Sequence, residues 1–445
     1  MSNFGDHPAG FFGDSSFYNG AISTSYRNDN ASDAYLYGNK GGNGDRQKFT
    51  ISWWMKIGTS LTGTIYTSGF SGSGGSASSG HIITSSNKVR MQNQVNNSAE
   101  WTLDSTRLFR DVSAWYNCVL AVDTTQGTEA NRIKLYVNGV QETLSGSYPS
   151  QNANLRMNNQ FEKIGTWDDG GSRYFDFDGY FADFNLIDGT QLDASSFGEF
   201  KNGVWIPVDT SSLTRGTKGW RLEFKQVGVG TASASTIGAD TGGNDFHFTS
   251  SGIVASDCAM PDSPENNFCT LNSVGRRYGQ SYVGTFSEGN LKVASGGNAT
   301  NVFGTMAINQ IASQGGVYFE VRMDSLDTSR TYFGVVGDTG SNNKNVAANA
   351  GGYTFPIKGM INNDPRGDFA TVTDASVRVD LTANTAFSNG DVAGIAILSD
   401  GKFFCHRNGT YLDNASGNTG NPSTGANPIA TIDLTLGDWV PYVGY

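Results

Sequence analysis

Cysteine and histidine are scarce: four of each in 445 residues, the cysteines at Cys118, Cys258, Cys269 and Cys405. No two cysteines make a C-x-x-C pair, so a thiolate or imidazole zinc site is not expected. Cys118 and Cys405 lie in strand-like runs and read as small buried residues. Cys258 and Cys269 are either separate thiols or a pair across a linker. Basic blocks are missing as well. With a net charge of −11 and scattered Lys and Arg, the chain lacks the cationic cluster that releases counterions from nucleic acid. No run approaches the roughly eighteen apolar residues of a membrane span, so no membrane insertion is expected. Met1–Asp6 has neither the basic start nor the apolar run of a secretory leader, which predicts synthesis and solubility in a cytosol. Apolar stripes at helical spacing and the G-x-S-x-G nucleophile motif are also lacking.

What is abundant is glycine, at 58 residues, together with Ser, Asn, Thr and an aromatic fraction of 12%. That mixture suits short strands, many turns and sizeable cores. The clearest pattern lies in Asp111–Glu142. Ile133, Leu135 and Val137 alternate with Lys134 and Tyr136, as in a strand with one buried side. Asn138-Gly139 follows, the pair best suited to a type I′ turn. Upstream, Cys118–Val122 is an apolar run that predicts a central antiparallel strand joined through the loop Thr124–Asn131.

The chain predicts two β-sandwiches in tandem: an arm at 1–18, a first sandwich at 19–226, a connector at 227–285 and a second sandwich at 286–445. Phe49, Ile51, Trp53 and Met55 face inward in one strand, with Thr50, Ser52, Trp54 and Lys56 on the opposite face. Trp54 there is either a sugar-stacking platform or a ring covered by a loop or partner. In the second sandwich, Val317–Met323 alternates in the same way. Asp391–Leu398 then runs through Asp400-Gly401 into Lys402–Arg407 and ends at Asn408-Gly409.

The segments FTISWWMKIG (Phe49–Gly58), WYNCVLAVDTT (Trp115–Thr125), RIKLYVNGVQET (Arg132–Thr143) and FDGYFADFNLIDG (Phe177–Gly189) resemble the LamG-like form of the concanavalin A-like lectin/glucanase fold. GGVYFEV (Gly315–Val321), YFGVVGD (Tyr332–Asp338) and GDVAGIAILSDGKFFCHRNGTYL (Gly390–Leu412) resemble a SPRY domain. The joint, Leu186–Val208 followed by Met260–Asn272, resembles a module of tailed-phage particle-surface proteins: tail fibres, head fibres and capsid decorations. These resemblances imply an all-β chain of two antiparallel jelly-roll-type sandwiches in a non-enzymatic virion structural protein. It would be a homo-oligomer, a trimer, contacting other virion proteins and host surface glycans. The alternative is a soluble carbohydrate-binding lectin or adhesin. SPRY domains usually carry one more strand after the segment matching Trp439–Gly444; here the sheet edge is expected to be open or completed by another chain.

A laminarinase-type glycosidase needs two carboxylates flanking the sugar ring. Asp176, Asp178 and Asp183 are the nearest set, but the Glu-x-Asp-x-x-Glu order is missing and Gly179 interrupts it, so they read as a solvated strand face. No cofactor is expected. Ca²⁺ in rim loops is what the LamG resemblance leaves open, with Asp123, Asp168, Asp169 and Asp188 as oxygen donors, although Asp-Gly is also ordinary turn chemistry. For glycan contact, Trp167, Asp168, Arg173 and Tyr174 cluster on the tip Thr166–Tyr174, with Trp101 as a looser candidate. Polar loops Asp338–Gly352 and Asp413–Pro428 supply a rim in the second sandwich.

Overall fold

The computed structural model describes residues 17–59, 62–70, 78–96, 98–168, 173–274, 284–294, 301–309, 315–325, 332–338, 357–362, 368–372, 378–380, 387–414, 416–435 and 438–444. The expected arm therefore lies outside the described residues except for Phe17 and Tyr18. The chain forms two compact units, Met1–Phe268 with Phe286–Lys292, and Cys269–Thr285 with Val293–Tyr445. Both are built from antiparallel sheets, and among the described residues no helix is long and apolar enough to cross a membrane.

In the first unit a seven-stranded sheet runs Tyr26–Asn28, Gly179–Asp188, Lys48–Ile57, Trp115–Asp123, Ile133–Val137, Val140–Gln141, with Trp220–Leu222 also pairing Gly179–Asp188. Trp115–Asp123 is central, as its apolar run predicts, and pairs with Lys48–Ile57 on one side and Ile133–Val137 on the other. Asn138 and Gly139 turn Ile133–Val137 into Val140–Gln141 with φ of 47° and 79°, both in the left-handed region a type I′ turn requires. The opposing eight-stranded sheet runs Leu144–Ser147, Ser98–Ser105, Lys88–Val95, Ser78–Ser85, Gly63–Phe70, Phe161–Ile164, Tyr35–Asn39, Thr249–Ser251. Trp53, Phe184, Tyr66, Ile82, Met91 and Trp220 pack between the two layers.

Two expectations change here. Thr50, Ser52, Trp54 and Lys56 do occupy the second face of their strand, yet that face is buried too. Trp54 packs with Ile22, Trp115, Tyr180 and Ala182, so it is a covered ring and no sugar platform. Lys56 Nζ lies 2.8 Å from Asp262 Oδ2, while Trp115 Nε1 donates to Asp262 Oδ1 at 2.9 Å. These bonds fasten the Pro261–Pro264 stretch over the sheet. Residues 227–268, expected as connector, are part of the first unit: Ile237, Phe248 and Ile253 enter its core, and Thr249–Ser251 pairs with Tyr35–Asn39. Their apolar residues are spaced by turns and show no period, so the sequence pattern hides the burial. None of the four cysteines forms a disulfide, Cys258 and Cys269 included.

The second unit faces a six-stranded sheet (Asn301–Phe303, Asp438–Gly444, Tyr332–Asp338, Ile357–Asn362, Asp368–Val372, Arg378–Asp380) with a five-stranded one. The latter runs Val317–Arg322, Val392–Ile397, Lys402–Arg407, Thr410–Tyr411, with Ala430–Thr431 beside Lys402–Arg407. Phe333, Val335, Ile395, Ile397, Phe403, Cys405 and Trp439 form its core. Asp438–Gly444 is not an open edge: it pairs with Asn301–Phe303 on one side and Tyr332–Asp338 on the other. This corrects the expectation of a vacancy beside it, since the chain supplies its own neighbour from far upstream.

Candidate functional site

Alternation across the eight-stranded sheet sends Leu36, Glu162, Ile164, Tyr66, Ile82 and Met91 inward. Their neighbours therefore form an outer row whose register runs Thr249, Tyr37, Lys163, Thr67, His81, Gln92, Thr102. Tyr35 and Phe161 share that face by the same alternation. Tyr37 is 42% exposed and Phe161 40%, both high for large rings. Tyr35 lies 5.8 Å from Tyr37 between centroids, and Lys163 Nζ stands 5.9 Å from the Tyr35 ring.

Beside this row comes the segment the sequence singled out. Trp167 pairs with Tyr174 and Asp168 with Arg173 in a two-stranded ribbon, so four of the five expected residues are adjacent along the backbone. The side chains of Asp168, Arg173 and Tyr174, and residues 169–172, lie outside the described residues. Half-buried Trp167 stacks on Phe175, with centroids 6.0 Å apart and planes 4° from parallel. Phe175 is 49% exposed and holds a φ of +56°, unusual for a bulky residue. It is fixed there from both sides: Thr64 N–H donates to the Phe175 carbonyl at 2.6 Å, and the Thr166 hydroxyl donates to Asp176. An exposed ring kept in a strained conformation is the kind of feature found at contact sites.

His81 meets Trp167 edge-on, centroids 5.0 Å apart. The hydroxyls of Ser79 and Thr67 sit 2.7 and 3.3 Å from its Nε2 and Nδ1. Burial pushes its pKa down to about 3, so the imidazole is neutral near neutral pH and offers one donor and one acceptor. The fifth expected residue does not join this group. Trp101 points inward, is 5% exposed and belongs to the core, so its ring has no open face. Tyr37, Phe161, Lys163 and Phe175 were missed. The usable signal was Tyr35-Leu36-Tyr37, where aromatic residues alternate with a core leucine.

The three carboxylates considered for catalysis have separate structural tasks. Asp176 accepts from Thr166; Asp178 is fully buried and accepts from Thr59 N–H at 2.8 Å and the Thr59 hydroxyl at 2.6 Å; Asp183 pairs with Arg221 at 2.6 Å. Burial raises the Asp178 pKa above the ordinary carboxylate value. Asp178 and Asp183 are buried and Asp176 is half-buried, so they are not the solvated strand face the sequence suggested. Among the Ca²⁺ candidates, Asp123 accepts from Thr125 and Gln126, and Asp188 from Asp45 N–H, Asn158 and Lys218 N–H. In the second unit, residues 339–352 of the first rim loop lie outside the described residues, and the loop 413–428 packs its Gly420 against Phe404.

A family model described as the concanavalin A-like lectin/glucanases superfamily, of the laminin G type, matches residues 29–194. No curated protein matches the chain. Among solved structures, domains LG4-5 of the mouse laminin alpha1 chain align at 9% identity over 96% of this chain and 82% of that one, with a TM-score of 0.30. The CBM40 of the Ruminococcus gnavus IT-sialidase, bound to alpha2,6 sialyllactose, gives 15% identity, 39% and 93% coverage and 0.28. A putative carbohydrate binding protein from Bacteroides ovatus gives 14%, 52%, 58% and 0.30. Residues 29–194 form a laminin G-like domain of the concanavalin A-like lectin/glucanase superfamily.

Proposed function

We propose that this chain is a non-catalytic attachment protein whose first sandwich contacts glycans through the outer face of its eight-stranded sheet. The observation that carries this reading is the set of exposed rings on and beside that face, Tyr37 and Phe161 next to Lys163, and Phe175 stacked on Trp167, which meets His81. Sugars are held by ring faces that cover C–H groups and by planar polar groups that meet hydroxyls. A glycan array probed with the full chain is expected to give saturable binding that Tyr37→Ala and Phe175→Ala each weaken about tenfold, on the scale of one stacked ring. An array without hits, or variants that bind as the parent does, would refute it. Sugar release from β-glucan that depends on Asp176 and Asp178 would refute the non-catalytic part.

A narrower reading places the protein on the particle of a tailed phage as a trimer, with a SPRY-like second sandwich. It rests on the joint sequence. Leu186–Val208 and Met260–Asn272 supply Phe197, Trp205 and Asp262, which close the outer face of the seven-stranded sheet. Light scattering on the purified chain is expected to give a trimer, and gold-labelled antibody to mark particles from the source host. A monomer together with unlabelled particles would end this reading.

A further inference from the structure

The solvent face of the five-stranded sheet carries a second cluster that the glycan reading does not use. Tyr318 and Glu320 project from Val317–Arg322, and His406 and Tyr411 from the paired strands two and three places along. Gly394 lies between them, opposite both Glu320 and His406. A Cβ there would run into the imidazole, so glycine is what lets His406 lie across the strand toward Tyr318. The hydrogen bonds then run one way. Gly409 N–H donates to His406 Nδ1 at 3.1 Å, which puts the ring proton on Nε2. Nε2–H donates to the Tyr318 oxygen at 2.8 Å, and the Tyr318 hydroxyl donates to Glu320.

The side-chain donors of His406 and Tyr318 are thus consumed within the cluster. What remains toward solvent is acceptor capacity on Glu320 and two tyrosine faces, Tyr318 being 52% exposed. Glu320 has no ion-pair partner among the described residues, whereas neighbouring Arg322 is matched by Asp324 at 3.1 Å. A surface that offers an exposed carboxylate and electron-rich ring faces suits an organic cation. The strand that bears it is also the end of its sheet, pairing among the described residues only with Val392–Ile397. An edge strand of this kind accepts an extended peptide through its main chain, with alternate side chains setting specificity.

We propose that Tyr318, Glu320, His406 and Tyr411 bind a lysine or arginine side chain carried by an extended segment of a protein partner laid along Val317–Arg322. The test uses the full chain and a fluorescein-labelled Thr/Val peptide with one central lysine, read by anisotropy. Replacing that lysine with glutamine is expected to weaken binding about tenfold, as is Glu320→Gln, with the peptide change requiring no alteration of the protein fold. Glycan binding by the first unit is expected to be unchanged in Glu320→Gln, which separates this site from the one proposed above. Equal affinity for the lysine and glutamine peptides, or undiminished binding by a folded Glu320→Gln variant, would overturn the proposal. So would arginine amide binding as tightly as the peptide, because the edge would then contribute nothing.

Discussion

Glu162 lies inside the first sandwich and takes three donors at once: Lys40 Nζ at 2.8 Å, Tyr66 Oη at 2.5 Å and Trp220 Nε1 at 2.6 Å. Lys40 also donates to Asn158 at 2.6 Å, and neither member of the ion pair reaches solvent. A buried pair is weak evidence of stabilisation, but removing one partner strands the other charge. Lys40→Met is therefore expected to cost about 3–5 kcal/mol, checked by urea unfolding. His81 gives a pH signature of known sign. Its folded pKa, about 3, lies below the ordinary histidine value of 6.5, so the unfolded chain binds the proton first as pH falls. The stability it lends is full above pH 6.5 and is lost between there and about 3, at roughly 1.4 kcal/mol per pH unit. His81→Gln should flatten the slope of unfolding free energy over that window relative to the parent, with the carboxylates common to both cancelling.

Among elements, the hairpins were the most legible. Asn138-Gly139 and Asn408-Gly409 both turn with two positive φ angles, and the strands on either side of each turn pair antiparallel. Ser86-Asn87 does the same with φ of 53° and 63°, showing that the turn tolerates residues outside the strongest pattern when the ladder holds it. Gly139 has a further constraint, because a Cβ there would run into the Trp205 ring. Gly139→Ala should cost about 1–3 kcal/mol from overpacking and backbone strain together, seen as a lower melting temperature of the first unit. Which face of a strand is open was not legible. Trp54 and Trp101 lie in equally regular strands, one on the face assigned to solvent, and both are covered. A period of two says that faces alternate; whether a second layer covers the outer face depends on segments more than a hundred residues away, such as Asp262 beneath Trp115.

For the whole molecule, the boundary of the first unit matters most. Thr249–Ser251 completes the eight-stranded sheet, and Ile237, Phe248 and Ile253 fill part of its core. A chain ending at residue 226 should fail to fold cooperatively, while one ending at 292 should unfold in a single transition by circular dichroism. By itself the sequence determined the all-β class, the two sandwiches and the central hairpin. These follow from alternation, turn chemistry and composition, which act between near neighbours. Only the tertiary structure decided that the supposed connector is core, that Trp101 is buried, and that Tyr37 and Phe161 share a face beside which Phe175 stacks on Trp167. Those facts depend on strand order, and strand order is set by the summed burial of distant segments, which leaves no local period to read.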